Sequence, residues 1–136
     1  MRLLDVSDLD DIRLVEFSED VQAEYTILSH CWSHDNATKE VDFRSFLAKD
    51  YDAEGSGWKK ILKCCELTKA AGYRYTWIDT CCIDKSSSAE LSESINSMFA
   101  WYKYAVVCYV FMHDYRMVKL PAIAEIDAER KWKQRL

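Results

Sequence analysis

His30, Cys31 and His34 lie close together, and a Cys-x-x-His spacing of this kind can supply two ligands of a zinc ion. A structural zinc site needs a second ligand pair, and the vicinal Cys81-Cys82 is the one distant complement the chain offers. Paired spacing on both arms is missing, so no metal centre is expected. The same thiols raise nucleophilic catalysis, with Cys31 or Cys82 attacking and His30 as base. That chemistry needs a base and an orienting group in contact, which spacing alone does not provide. Four of the six cysteines fall inside apolar, periodic segments, and buried thiols are the expectation.

Asp79 stands where a β-rich run ends. A carboxylate there can cap the next turn, order a loop or take a ribose hydroxyl. Trp32 and Trp77 are large aromatics near the same edge, able to stack on a base or to fill the core. Ser29, His30, Trp32, Asp79 and Cys82 are therefore the candidate ligand-binding set. Glu90 has a local role available: Ser87 three residues before it matches a capping box, in which two side chains satisfy orphan N–H groups reciprocally. Glu93 reads as solvated.

The elements that must position these residues follow from periodicity. Met1 to Val6 and Ile12 to Phe17 read as two strands around the acidic turn 7–11, a hairpin over 1–17. Tyr25 to Ser29 is a short β-rich run, a short helix is expected over 43–49, and 52–57 is a loop. Trp58, Ile61, Leu62 and Cys65 recur at helical spacing, and Gly72 suits a C-cap, which predicts a helix over 57–71. Tyr73 to Asp79 is a strand. Leu91, Ile95, Met98, Phe99 and Tyr102 predict one face of a helix over 88–103, and the apolar run 105–112 predicts a central strand. Strand, helix, strand, helix, strand over 25–112 implies an α/β fold with a parallel sheet flanked by helices. Ligands in such sheets bind beyond the carboxyl ends of the strands, here Ser29-His30, Asp79-Thr80 and His113-Asp114. The tail 113–136 reads as partly helical around Ile123 and Ile126, with no strand returning to the sheet, and the chain is expected to stop early.

The chain's 136 residues suit one domain, and 49% hydrophobic with 30% charged residues is the balance of a folded chain. Three glycines leave no room for a glycine-rich phosphate loop, and a net charge of −5 argues against nucleic acid as a partner. No apolar run reaches the ~18 residues of a membrane span, and no secretory leader precedes the cysteines, so a cytoplasmic location is expected.

Tyr25-Thr26-Ile27-Leu28-Ser29-His30-Cys31-Trp32 and Tyr75-Thr76-Trp77-Ile78-Asp79-Thr80-Cys81-Cys82-Ile83-Asp84 resemble the signature blocks of the fungal heterokaryon incompatibility (HET) domain. The continuation from Ser86 to Tyr102, the run Ala105 to Val110 and the opening Met1-Arg2-Leu3-Leu4 extend the resemblance over residues 1 to 112. It implies non-self recognition and programmed cell-death signalling, through protein partners or self-association. It also implies a flavodoxin-like sheet remotely similar to Toll/interleukin-receptor (TIR) domains. In that comparison the loop with Ile83, Asp84 and Lys85, running on to Glu90, stands where TIR domains carry an interaction loop. Some TIR domains hydrolyse NAD with a late glutamate, so NAD is the cofactor the resemblance implies. This chain departs from the family pattern at Ser33, where Gly is usual, and has no late Arg-Gly-Trp-Thr-Leu-Gln-Glu-Leu block. Without the late glutamate, the resemblance implies a chain inactive by itself.

Overall fold

In this computed structural model, residues 1–18, 22–32 and 39–112 are described, together with the backbone of 118–121. Six strands form one mixed sheet in the order β2-β1-β4-β3-β5-β6. They are β1 (Arg2–Asp5), β2 (Arg13–Glu16), β3 (Tyr25–His30), β4 (Tyr75–Trp77), β5 (Val107–Phe111) and β6 (Val118–Pro121). The helices are α1 (Phe43–Ala48), α2 (Ser56–Ala70), α3 (Asp79–Cys82) and α4 (Ser88–Tyr104).

The expected α/β alternation is present, with parallel pairing confined to its centre. β3 pairs in parallel with β4 on one side and β5 on the other. The N-terminal hairpin is part of the same sheet: β1 pairs antiparallel with both β2 and β4. A strand also returns after β5, contrary to the expectation for the tail. β6 runs antiparallel beside β5, pairing Cys108 with Leu120, so β5 is not an edge. The expected helix around 123–126 lies outside the described residues.

Side-chain alternation assigns the two long helices to opposite faces of the sheet. Thr26 and Thr76 face α2, where their hydroxyls and that of Thr68 form a buried chain, Thr26 to Thr68 at 2.6 Å and Thr26 to Thr76 at 2.8 Å. Their neighbours point the other way. The Tyr25 hydroxyl donates to the Trp101 carbonyl of α4, and Trp77 packs on Trp101 with ring centroids 5.5 Å apart. Trp77 is only 1% exposed, so its truncation to Ala would cost about 3–5 kcal/mol.

Both long helices are rotated relative to the faces read from periodicity. α2 buries Gly57, Lys60, Ile61, Cys64, Cys65 and Thr68, while Trp58 and Leu62 are only partly covered. In α4, Leu91, Ser94, Met98, Trp101 and Tyr102 turn inward, and Ile95 and Phe99 are 60% and 74% exposed. The strand read as 73–79 ends at Trp77, because Ile78 caps the one-turn helix α3 and Asp79 opens it. Gly72 adopts a φ of 86°, the left-handed conformation expected of a residue that ends a helix.

Candidate functional site

The register of β3 and β4 brings the two signature segments together. Ile27 lies opposite Trp77, so three residues on His30 reaches the edge at which α3 begins. There the His30 Nε2 and Asp79 Oδ1 are 2.7 Å apart, and the Trp32 indole N–H donates to Asp79 Oδ2 at 2.9 Å. Lys85 closes the group. Its ammonium donates to the Asp79 carbonyl at 2.6 Å and stands 4.0 Å from the centre of the Trp32 ring. The carboxylate thus anchors residues from β3 and the segment after it, and the lysine binds the indole through charge and ring.

Burial alone would raise the Asp79 carboxyl. The His30 hydrogen bond and charge, the Trp32 indole and the nearby Lys85 outweigh it and hold the group below the ordinary 3.8. Burial acts on Lys85 in the opposite sense, pulling its ammonium below the usual lysine value against the attraction of Asp79. Tyr102, whose hydroxyl donates to the Leu28 carbonyl at 3.2 Å, is pushed up to about 12 by burial and by the Asp79 charge. At neutral pH the centre is therefore an ionised carboxylate beside a neutral phenol. With Asp79 ionised, the His30 Nε2 carries the proton of the hydrogen bond between them. The His30 side chain is 1% exposed, and Nδ1 has no hydrogen-bond partner among the described residues.

His30 and Trp32 also border a crevice of about 500 Å³. Its other walls are Ser29 and Cys31 from the end of β3, Val110 to Met112 from the end of β5, the first turn of α2, and Glu40. Lys60 projects from α2 onto Glu40 at 2.6 and 2.7 Å, a pair exposed by only 6% and 11%, with its ammonium 5.6 Å from the Phe111 ring centre.

Of the residues singled out in the sequence, Ser29, His30, Trp32 and Asp79 meet at this edge. Cys82 does not: it is 3% exposed in the core, its sulfur accepting from the Ile78 N–H at 3.5 Å. Ile83 is likewise buried, at 2%. Asp84 accepts from Ser86, and its own N–H donates to Glu90 at 3.0 Å. The capping box is half formed. The Ser87 hydroxyl accepts from the Glu90 N–H at 3.3 Å, but the Glu90 carboxylate is taken by both guanidinium nitrogens of Arg2. Lys60, Gly57 and Phe111 were missed as site residues. The signal for Lys60 was its place within the apolar spacing of α2, where a charged residue must find a partner. His34 lies outside the described residues, and no cluster fit to hold a metal ion occurs among those described.

A carboxylate junction joining the two blocks, on an α/β sheet, is the setting for the comparisons with known proteins. The family model "Heterokaryon incompatibility protein (HET)" matches residues 25–136, and the chain belongs to that family. It is 40% identical over 135 residues to the vegetative incompatibility protein HET-E-1 of Podospora anserina. The match takes in 98% of this chain and 9% of that relative, so the chain spans a small part of the relative's length. No solved structure matches the chain.

Proposed function

We propose that this chain is a signalling domain of fungal vegetative incompatibility, acting in the cytoplasm in non-self recognition and driving programmed cell death through a protein partner or a second copy of itself. The observation that carries the reading is the junction of His30, Trp32 and Lys85 on Asp79, which makes one structure of the two signature segments. The partly exposed indole and the segment 84–86 beside it would form the surface on which association depends. Among the described residues no helix is long and apolar enough to cross a membrane, which is compatible with that location. Inducible expression in a filamentous fungus tests the proposal. Growth arrest and loss of viability are expected from the wild-type chain and should be abolished by Asp79→Ala and by Lys85→Ala at matched protein levels. Unimpaired growth with abundant folded wild-type protein would refute it.

The crevice favours a second reading, an NAD-binding or NAD-hydrolysing domain with a TIR-like sheet. Its place at the carboxyl ends of β3 and β5 supports this, because open α/β sheets bind ligands there. Both Asp79 oxygens are engaged within the protein and the His30 side chain is only 1% exposed, so a ribose would have to be read elsewhere in the crevice. Nicotinamide release from NAD by the purified chain is the expected activity, and its complete absence argues for assembly-driven signalling alone.

A further inference from the structure

We propose that the apolar face left open beside α4 is the seat of the chain's own C-terminal segment, residues 122–136, which docks there as a helix antiparallel to α4. The register of the sheet defines that face. Tyr109 reaches α2, its hydroxyl donating to the Leu67 carbonyl at 3.2 Å, and it and Val107 are 3% and 4% exposed. Cys108 and Val110 alternate with them and so point to the side of α4, where both stay only partly buried. β5 has β3 on one edge and β6 on the other, and an interior strand of an α/β sheet is ordinarily covered on both faces.

α4 leaves β5 open because it lies over β3 and β4. Trp101 packs on Trp77, and the Tyr102 hydroxyl donates to the Leu28 carbonyl. Ile95 and Phe99 precede Tyr102 at helical spacing and share its side of α4, away from Glu90 on Arg2. Both side chains are mostly exposed, so the open face runs from α4 onto β5.

The position, length and charge of the segment select it as the occupant. β6 ends with Pro121 opposite Val107, close after the Ala105 that ends α4, so residue 122 starts at that end of the open face. As a helix, 122–136 spans about 22 Å, close to the length of the 17-residue α4. Ile123 and Ile126 stand at helical spacing in its first turns, level with Phe99 when the two helices run antiparallel. Glu125 and Asp127 then come within reach of Lys103, exposed in the last turn of α4. A second copy fits less well. Before Lys103, this side of α4 carries Leu91, Ser92, Ile95 and Phe99, with no acid to meet that lysine.

Trypsin at low dose, read by intact mass, tests the docking, since Arg130, Lys131 and Lys133 all lie in the segment. Cleavage there requires the segment to leave the face, so its rate follows the undocked fraction. Phe99→Asp and Ile95→Asp alter side chains that the rest of the fold leaves exposed, and each should speed cleavage after Arg130 and Lys131 about tenfold. Lys103→Glu should speed it about twofold. Asn96→Asp, exposed on the outer face of α4, should leave it unchanged. Wild-type cleavage as fast as that of Phe99→Asp, in a chain that thermal unfolding shows to be folded, overturns the proposal. So does wild-type protection that is lost on dilution, because the cover is then a second copy.

Discussion

Asp79 accepts two side-chain hydrogen bonds at a sheet edge and, though largely buried, ionises more readily than a free aspartate. Replacing it with Asn keeps the shape but removes the charge that holds His30 and Trp32, while Lys85 keeps its main-chain carbonyl partner. Hydrogen bonds to a charged group contribute about 1.5–3 kcal/mol each, so Asp79→Asn should lower stability by about 2–4 kcal/mol at neutral pH. The pH dependence follows from the sign of the shift. A carboxylate whose folded value lies below 3.8 contributes fully above that value and loses its contribution as pH falls through the folded one. Denaturant unfolding at a series of pH values should show the gap between wild type and variant closing in acid. A gap of constant size would mean that the loss is one of packing.

The helices meet the sheet through contacts that tolerate little change. A Cβ on Gly57 would stand 2.2 Å from the Lys39 carbonyl oxygen, which crosses the start of α2. That oxygen is backbone, so the helix or the crossing segment must move, and Gly57→Ala should cost about 1–3 kcal/mol by overpacking. Thermal unfolding measures this, and the Lys60–Glu40 pair, three residues further along α2, should loosen with it. Ser87→Ala removes the cap of α4 and should cost about 1 kcal/mol. The hairpin is held to β4 by Arg74, whose hydrogen bond brings Asp5 down to about 2. Its tie should therefore persist in acid after ordinary carboxylates have protonated, and amide exchange of β1 at low pH would report on it.

Across the whole molecule the thiols are sorted by burial. Cys64, Cys65 and Cys81 are fully buried with their thiols pushed upward, Cys64 to about 12, while Cys31 is exposed. Desolvation disfavours the thiolate, the reactive form, at Cys64 and Cys65, and at Cys81 the hydrogen bond with Cys82 adds to it as the larger cause. A thiol-specific disulfide reagent should modify Cys31 rapidly in the native protein, and all six cysteines only after unfolding. Rapid native labelling of three or more would show that the core opens readily. Ile95 and Phe99, with 60% and 74% exposure on α4, are among the most exposed large apolar side chains of the described residues.

Much of this protein was determined by its sequence alone, because the signals are local. The β-branched and aromatic runs at 25–30 and 107–111, the capping serine at 87 and the left-handed Gly72 act on their own neighbours, and their elements form as expected. The meeting of His30 and Trp32 with Asp79 was legible only as a shared sheet edge; the register of β3 against β4 made it a contact. Tertiary packing decided the rest. Which stripe of α4 is buried depends on what lies opposite it, and the Trp77–Trp101 contact turned Ile95 and Phe99 outward. Glu90 left its local partner for Arg2, 88 residues away, and β6 closed beside β5. Lys60 became part of a crevice wall because the strand order opens a gap at the N-terminus of α2. Contacts between residues far apart in the chain depend on the sheet's order and register, and periodicity carries neither.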